Sequence, residues 1–100
     1  MGKVVIWSEP SLQHLALIHE YIFEESGSLT TADKVIDNII KSTQILSDQP
    51  KMNPPDRFKL NNNGDYRAYV IYSYRISYRI LINKIRILRV LHTSREPLTY

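Results

Sequence analysis

The chain has 100 residues, no cysteine, 43% hydrophobic residues and a formal net charge of +3. That length allows one domain with one small core, and the missing thiols exclude disulfides and thiolate metal sites. No stretch approaches the roughly 18 consecutive apolar residues of a membrane span, and MGKVVIWSEP is too short an apolar run for a signal peptide. The expectation is a single soluble cytoplasmic domain over 1–100, with a core small enough that a partner covering apolar surface would stabilise it.

In chain order, KVVIW at 3–7 is a β-branched apolar run and reads as a first strand. Ser8-Glu9-Pro10 reads as a helix start, with Ser8 as N-cap and proline in the first turn. Leu12, Leu15, Ala16, His19, Ile22 and Phe23 follow at helical spacing. Leu17, Ile18 and Tyr21 widen that stripe, so this helix is expected to be covered on more than one side. His19 is expected at the core or its boundary, and His14 at the surface. Gly27 stops the helix. The second helix, capped by Thr30 or Thr31, puts Ala32, Val35, Ile36, Ile39, Ile40, Thr43 and Leu46 on one face. Residues 48–56, with Pro50, Pro54 and Pro55, read as an irregular connection.

The period then switches to two. Strands are expected at 66–72, 74–82 and 85–93, with a tight turn at Asn83-Lys84. The order β-α-α-β-β-β gives an α+β fold, a helical hairpin packed on one face of a small, mostly antiparallel sheet. Along 74–82, Tyr74, Ile76, Tyr78, Ile80 and Ile82 share one face, while Arg75, Ser77 and Arg79 share the other. The apolar face must meet the helices, which would leave the arginine face uncovered by this chain. In 66–72, alternation leaves open which set faces the helices. In 85–93 the faces are also ambiguous, Ile87, Arg89 and Leu91 against Arg86, Leu88, Val90 and His92, which a bulge would reconcile.

Charge follows the same division. Residues 1–65 carry Lys3, Lys34, Lys41, Lys51, Arg57 and Lys59 against nine acids, whereas 66–100 carry Arg67, Arg75, Arg79, Lys84, Arg86, Arg89 and Arg95 against Glu96 alone. A basic half with interleaved tyrosine suits phosphate or an acidic partner. The three histidines are scattered, so no metal site is expected, and nothing calls for a cofactor.

YRAYVIYSYRISYRI followed by KIRILRVLHTSREP resembles the C-terminal half of the RelE/ParE toxin superfamily, the toxins of type II toxin–antitoxin pairs. The shared pattern falls on Gly64, Arg67, Tyr74-Arg75-Ile76, Tyr78-Arg79, Ile87, Arg89-Val90-Leu91-His92 and Arg95, and its spelling is closer to the ParE-like branch. VVIWSEPSLQHLALIHEYI and ADKVIDNIIKSTQIL are similar to the family's first strand and two helices, so the resemblance spans nearly the whole chain.

This resemblance implies a cytoplasmic toxin that arrests growth, of the kind associated with plasmid stabilisation, neutralised by a cognate antitoxin. The ParE-like form implies inhibition of DNA gyrase without nuclease chemistry. Under either form Arg67, Arg75, Arg79, Arg89 and Arg95 are the expected nucleic-acid or target-binding residues. The RelE-like form implies cleavage of ribosome-bound mRNA, an mRNA interferase, with Arg75, His92 and Tyr100 as catalytic residues. Such cleavage needs a base for the 2′-hydroxyl, cations for the phosphate and an acid for the leaving oxygen. The RelE type carries a lysine pair on the strand that here reads Tyr66-Arg67-Ala68-Tyr69, where only Arg67 is cationic. A basic binding module without toxicity is a third reading.

Overall fold

The first apolar run forms a short strand, β1 (Val4–Trp7). It is followed by helices α1 (Glu9–Ser26) and α2 (Leu29–Gln44), a 3-10 turn at Ile45–Ser47, and strands β2 (Tyr66–Ile71), β3 (Tyr74–Ile80) and β4 (Lys84–His92). This architecture is that of a computed structural model, which describes residues 2–95 and 99–100; Glu96 lies outside the described residues. The sheet order is β1-β4-β3-β2, with β1 parallel to β4 and the other pairs antiparallel. The expected α+β arrangement is present, with the helical hairpin on one face of the sheet.

Local chemistry sets the helix ends. The Ser8 hydroxyl accepts the Ser11 N–H at 3.2 Å and donates to the Leu88 carbonyl at 3.1 Å, so one side chain caps α1 and ties it to β4. Gly27 ends α1 at φ 67, its N–H on the Phe23 carbonyl at 2.8 Å. The cap of α2 is Ser28 rather than Thr30 or Thr31. Once Gly27 has turned the chain, Ser28 is already extended at φ −127, and its hydroxyl accepts the Thr31 N–H at 3.1 Å. His19 bridges to Asp33 at 2.7 Å, linking the two helices at the boundary.

The core gathers Leu15 and Ile18 of α1, Ile39 of α2, Leu46, Tyr74, Ile76 and Tyr78 of β3, and Ile85, Ile87 and Val90 of β4. On β4 the expected bulge is present. Ser77 lies opposite Arg89 and Tyr78 opposite Ile87, so Leu88 is the extra residue and the buried phase changes from Ile85 and Ile87 to Val90. β1 pairs with β4 only as far as Ile87. The N–H of Val90 beyond it is satisfied by Nδ1 of His14 at 3.1 Å. His14 is therefore half-buried and fastens α1 to β4, not a surface residue as expected. Burial, followed by the charges of Arg95 and Arg89, holds it below the ordinary histidine value.

α1 is covered on two sides, by α2 and by β4, yet Leu12, Leu17, Tyr21 and Phe23 are exposed, because no described element takes the rest of the helix. Two other expectations change. The β3–β4 link is 81–83, closed by the Leu81 N–H on the Lys84 carbonyl at 2.9 Å, rather than a turn at Asn83-Lys84. The irregular connection runs on to residue 65. It is held there by Asn62, whose Nδ2 donates to the Tyr66 carbonyl at 2.8 Å and whose Oδ1 accepts the Gly64 N–H at 2.9 Å.

Candidate functional site: an arginine face closed by tyrosine and phenylalanine

Strand register builds the sheet face turned away from the helices. One rung crosses all four strands as Ile6, Arg86, Arg79 and Tyr66. The next runs Arg89, Ser77 and Ala68, and a third runs Leu91, Arg75 and Val70. Arg75, Arg79, Arg86 and Arg89 thus share one face.

That face is not left uncovered. The connection before β2 folds onto it, and Tyr100 docks on top. Asp56, almost fully buried, is the hub. Its Oδ1 accepts the Phe58 N–H at 3.0 Å, its Oδ2 accepts the Tyr100 hydroxyl at 2.7 Å, and its own N–H donates to the Tyr66 carbonyl at 2.8 Å. Tyr100 also donates its N–H to the Phe58 carbonyl at 3.0 Å and accepts the Leu60 N–H at 2.6 Å. Burial first, and the Asp56 carboxylate second, push the Tyr100 hydroxyl above its ordinary value.

Arginines then sit over rings: Arg89 over Tyr100 at 4.0 Å, Arg75 over Phe58 at 4.8 Å and Arg79 over Tyr66 at 5.1 Å. Lys59 lies 4.7 Å from the Tyr66 ring, and the Tyr66 and Tyr100 rings meet edge-on at 6.1 Å. Rings hold the guanidinium planes while leaving them cationic. The face is thus suited to recognising anions. Among the described residues, the buried carboxylate built into it, Asp56, is occupied by two donors.

The other sequence-derived candidates lie elsewhere. Arg67, with Tyr69 and Ile71, points to the helix side. Its Nε donates to the Gly64 carbonyl at 3.0 Å and its Nη1 to the Asn53 carbonyl at 2.7 Å, which pins the connection to β2. His92 packs edge-on against Tyr74 at 5.3 Å, also on the helix side, and its Nδ1 accepts the Ser94 N–H at 3.0 Å. His92 and Arg95 rim a groove of about 360 Å³ between α1 and the end of β4, floored by Ile18, Tyr74 and Val90 and flanked by Leu17 and Tyr21. Arg75, Arg79, Arg89 and Tyr100 are therefore brought together, whereas Arg67, His92 and Arg95 are not brought to them.

Sequence reasoning missed Asp56, Phe58 and Lys59. The available signal was Arg57-Phe58-Lys59, an aromatic between two cations inside a proline- and asparagine-rich stretch. Among the described residues no group of three or more His, Asp or Glu side chains is placed to hold a metal ion, and no helix is long and apolar enough to cross a membrane.

The sequence matches a model of the ParE toxin of type II toxin–antitoxin systems, parDE, over residues 5–97. No curated protein matches it. Among solved structures, the fold is similar to a chain of the chromosomal ParDE toxin–antitoxin system from P. aeruginosa, with TM-score 0.73 and 15% identity, covering 90% of this chain and 95% of that one. It is also similar to a chain of the RelBE2 toxin–antitoxin complex from Mycobacterium tuberculosis, with TM-score 0.65 and 18% identity over 92% and 99% of the two chains. An arginine-to-alanine double mutant of the E. coli toxin RelE in the free state aligns with TM-score 0.62 and 15% identity over 94% and 86%. At these identities the structures share a fold, and the family follows from the sequence model together with the Gly64, Arg67, Arg75, Arg89 and His92 pattern that it spans: the chain belongs to the ParE toxin family of type II toxin–antitoxin systems.

Proposed function

We propose that this toxin arrests growth by binding DNA gyrase in the cytoplasm, and that a cognate antitoxin neutralises it. What supports binding over cutting is the division of the candidate residues between two faces. Arg75, Arg79 and Arg89 gather with Tyr100, while His92, the histidine among the candidates, lies on the helix side with Tyr74. A cleavage site needs a base and an acid within hydrogen-bond reach of one phosphate. Asp56, the carboxylate beside Tyr100, already accepts from Tyr100 and Phe58. The arginine face is thus equipped to hold an anionic partner, and among the described residues no histidine stands on it.

One observation favours the mRNA interferase reading: Arg75 and Tyr100 do share a face, so cation and phenol stand on the same side of the sheet. The two readings separate in paired assays of the purified toxin. Inhibited gyrase supercoiling with intact message in a translation extract supports gyrase inhibition. Codon-positioned cuts in the message that vanish in Arg75→Ala, with supercoiling untouched, overturn it in favour of the interferase.

A further inference from the structure

The first rung of the arginine face differs from the other two. Tyr100 and Phe58 lie against Arg89 and Arg75, and Tyr66 lies against Arg79, but at the β1 end no described ring lies against Arg86. On β1, Val4 and Ile6 are 62% and 41% exposed, and Ile82 at the adjoining β3–β4 link is 96% exposed. Register places Lys84 beside Val4 and Arg86 beside Ile6. Arg86 lies directly across from Arg79. Like charges in directly opposite positions repel and destabilise a sheet. No described carboxylate offsets the pair: neither arginine nor Lys84 forms an ion pair, and Asp65, just before β2, forms none either. Nε of Arg79 is shielded from solvent and has no hydrogen-bond partner.

Two unneutralised arginines beside an aliphatic strip make a surface that is unfavourable when bare and favourable when covered. The chemistry of the cover follows from both halves. Phosphate alone would meet the arginines and leave Val4 and Ile6 wet. A protein surface carrying adjacent carboxylates beside an apolar ridge meets both, and arginine with aliphatic neighbours is the composition of interface centres. We infer that Val4 and Ile6 with Lys84, Arg86 and Arg79 form a protein-docking surface for an acidic, partly apolar face of the toxin's target. This inference rests on the gyrase reading above for the identity of that target.

Purified toxin is immobilised and titrated by biolayer interferometry with the gyrase A and B subunits, duplex DNA and the antitoxin, each across a salt series. Wild type is compared with R79E/R86E, R79K/R86K and V4S/I6S, with thermal melts confirming that each variant is folded. The expected result is a loss of gyrase affinity of about 10-fold or more in R79E/R86E, with a flatter salt dependence. V4S/I6S should weaken binding mainly through faster dissociation, R79K/R86K should retain most of it, and antitoxin affinity should be unchanged throughout. Wild-type gyrase affinity retained by R79E/R86E overturns the docking surface alone. So does a loss confined to duplex DNA or to the antitoxin. A wild-type toxin that neither binds nor inhibits gyrase overturns the gyrase reading, and this surface assignment with it.

Discussion

Tyr69 carries a titration that the whole molecule should report. Its ring lies between Tyr78 and α2, its hydroxyl pairs with Ser42 at 2.8 Å, and burial pushes it up to about 12. In the unfolded chain the same phenol ionises near its ordinary value of about 10. The fold therefore favours the neutral form, and its contribution is fully present below pH ~10 and lost as pH rises through ~12. Burial shifts Tyr74, Tyr78 and Tyr100 in the same direction. Urea unfolding should thus give a steep fall in stability over this window, and Tyr69→Phe should flatten it by on the order of 2 kcal/mol. A Tyr69→Phe variant with the wild-type slope would mean that the hydroxyl is not buried in solution. Single residues were also where the sequence was hardest to read. Arg67 and Arg75 both stand near the start of a strand and both match a family position. Alternation along 66–72 offers two mixed faces, because Tyr69 and Ile71 pack on the core from one side while Ala68 is buried on the other and Val70 stays exposed. Only the Gly64 and Asn53 carbonyls mark Arg67 as a fastener of the connection.

At the scale of elements, the β2–β3 hairpin holds strain. Its two-residue link is Tyr72-Ser73, and both have positive φ, 53 and 66. A hairpin turn with two left-handed residues favours Asn-Gly, and a bulky side chain there costs about 1–2 kcal/mol. The Tyr72 hydroxyl accepts from Asn38 at 2.7 Å, which offsets part of that cost. Y72N/S73G is expected to raise the urea midpoint, for a net gain of about 1 kcal/mol after loss of the Asn38 bond; an unchanged or lowered midpoint would show that the turn is relaxed. The elements themselves were legible because hydrophobic period reports which side meets a core. Period 3.6 marked α1 and α2, period 2 marked β2 to β4, and the mixed faces along 85–93 pointed to a bulge whose position only the register gives. The connection 48–65 was not legible in the same way. Its shape comes from Asx bonds and from the Asp56 hub, and neither repeats along the chain.

At the scale of the molecule, apolar surface is left bare along α1 and the groove beside it. Leu17 and Tyr21 are exposed, and they continue into the groove that His92 and Arg95 rim. Replacing both in L17D/Y21S removes exposed apolar area without touching the core, so folding stability should stay within ~0.5 kcal/mol of wild type. The free toxin should become more soluble, and rescue by the antitoxin should weaken if the antitoxin covers this groove. Co-expression growth assays beside denaturant unfolding check both; destabilisation beyond 1 kcal/mol would place these side chains in the core after all.

The parallel pairing of β1 with β4 also has a temporal side. Val4 must find Lys84, 80 positions later, before the sheet is complete. At roughly 5–20 residues per second, the first strand waits about 4–16 s on the ribosome for its partner. During that interval neither Ser8 nor His14 has its β4 contact, and the arginine face is not yet assembled. The toxin thus acquires its surface abruptly, when β4 emerges, rather than in stages during synthesis. Nascent chains arrested before β4 should be protease-sensitive along their whole length, and chains arrested after it has cleared the ribosome should become resistant together.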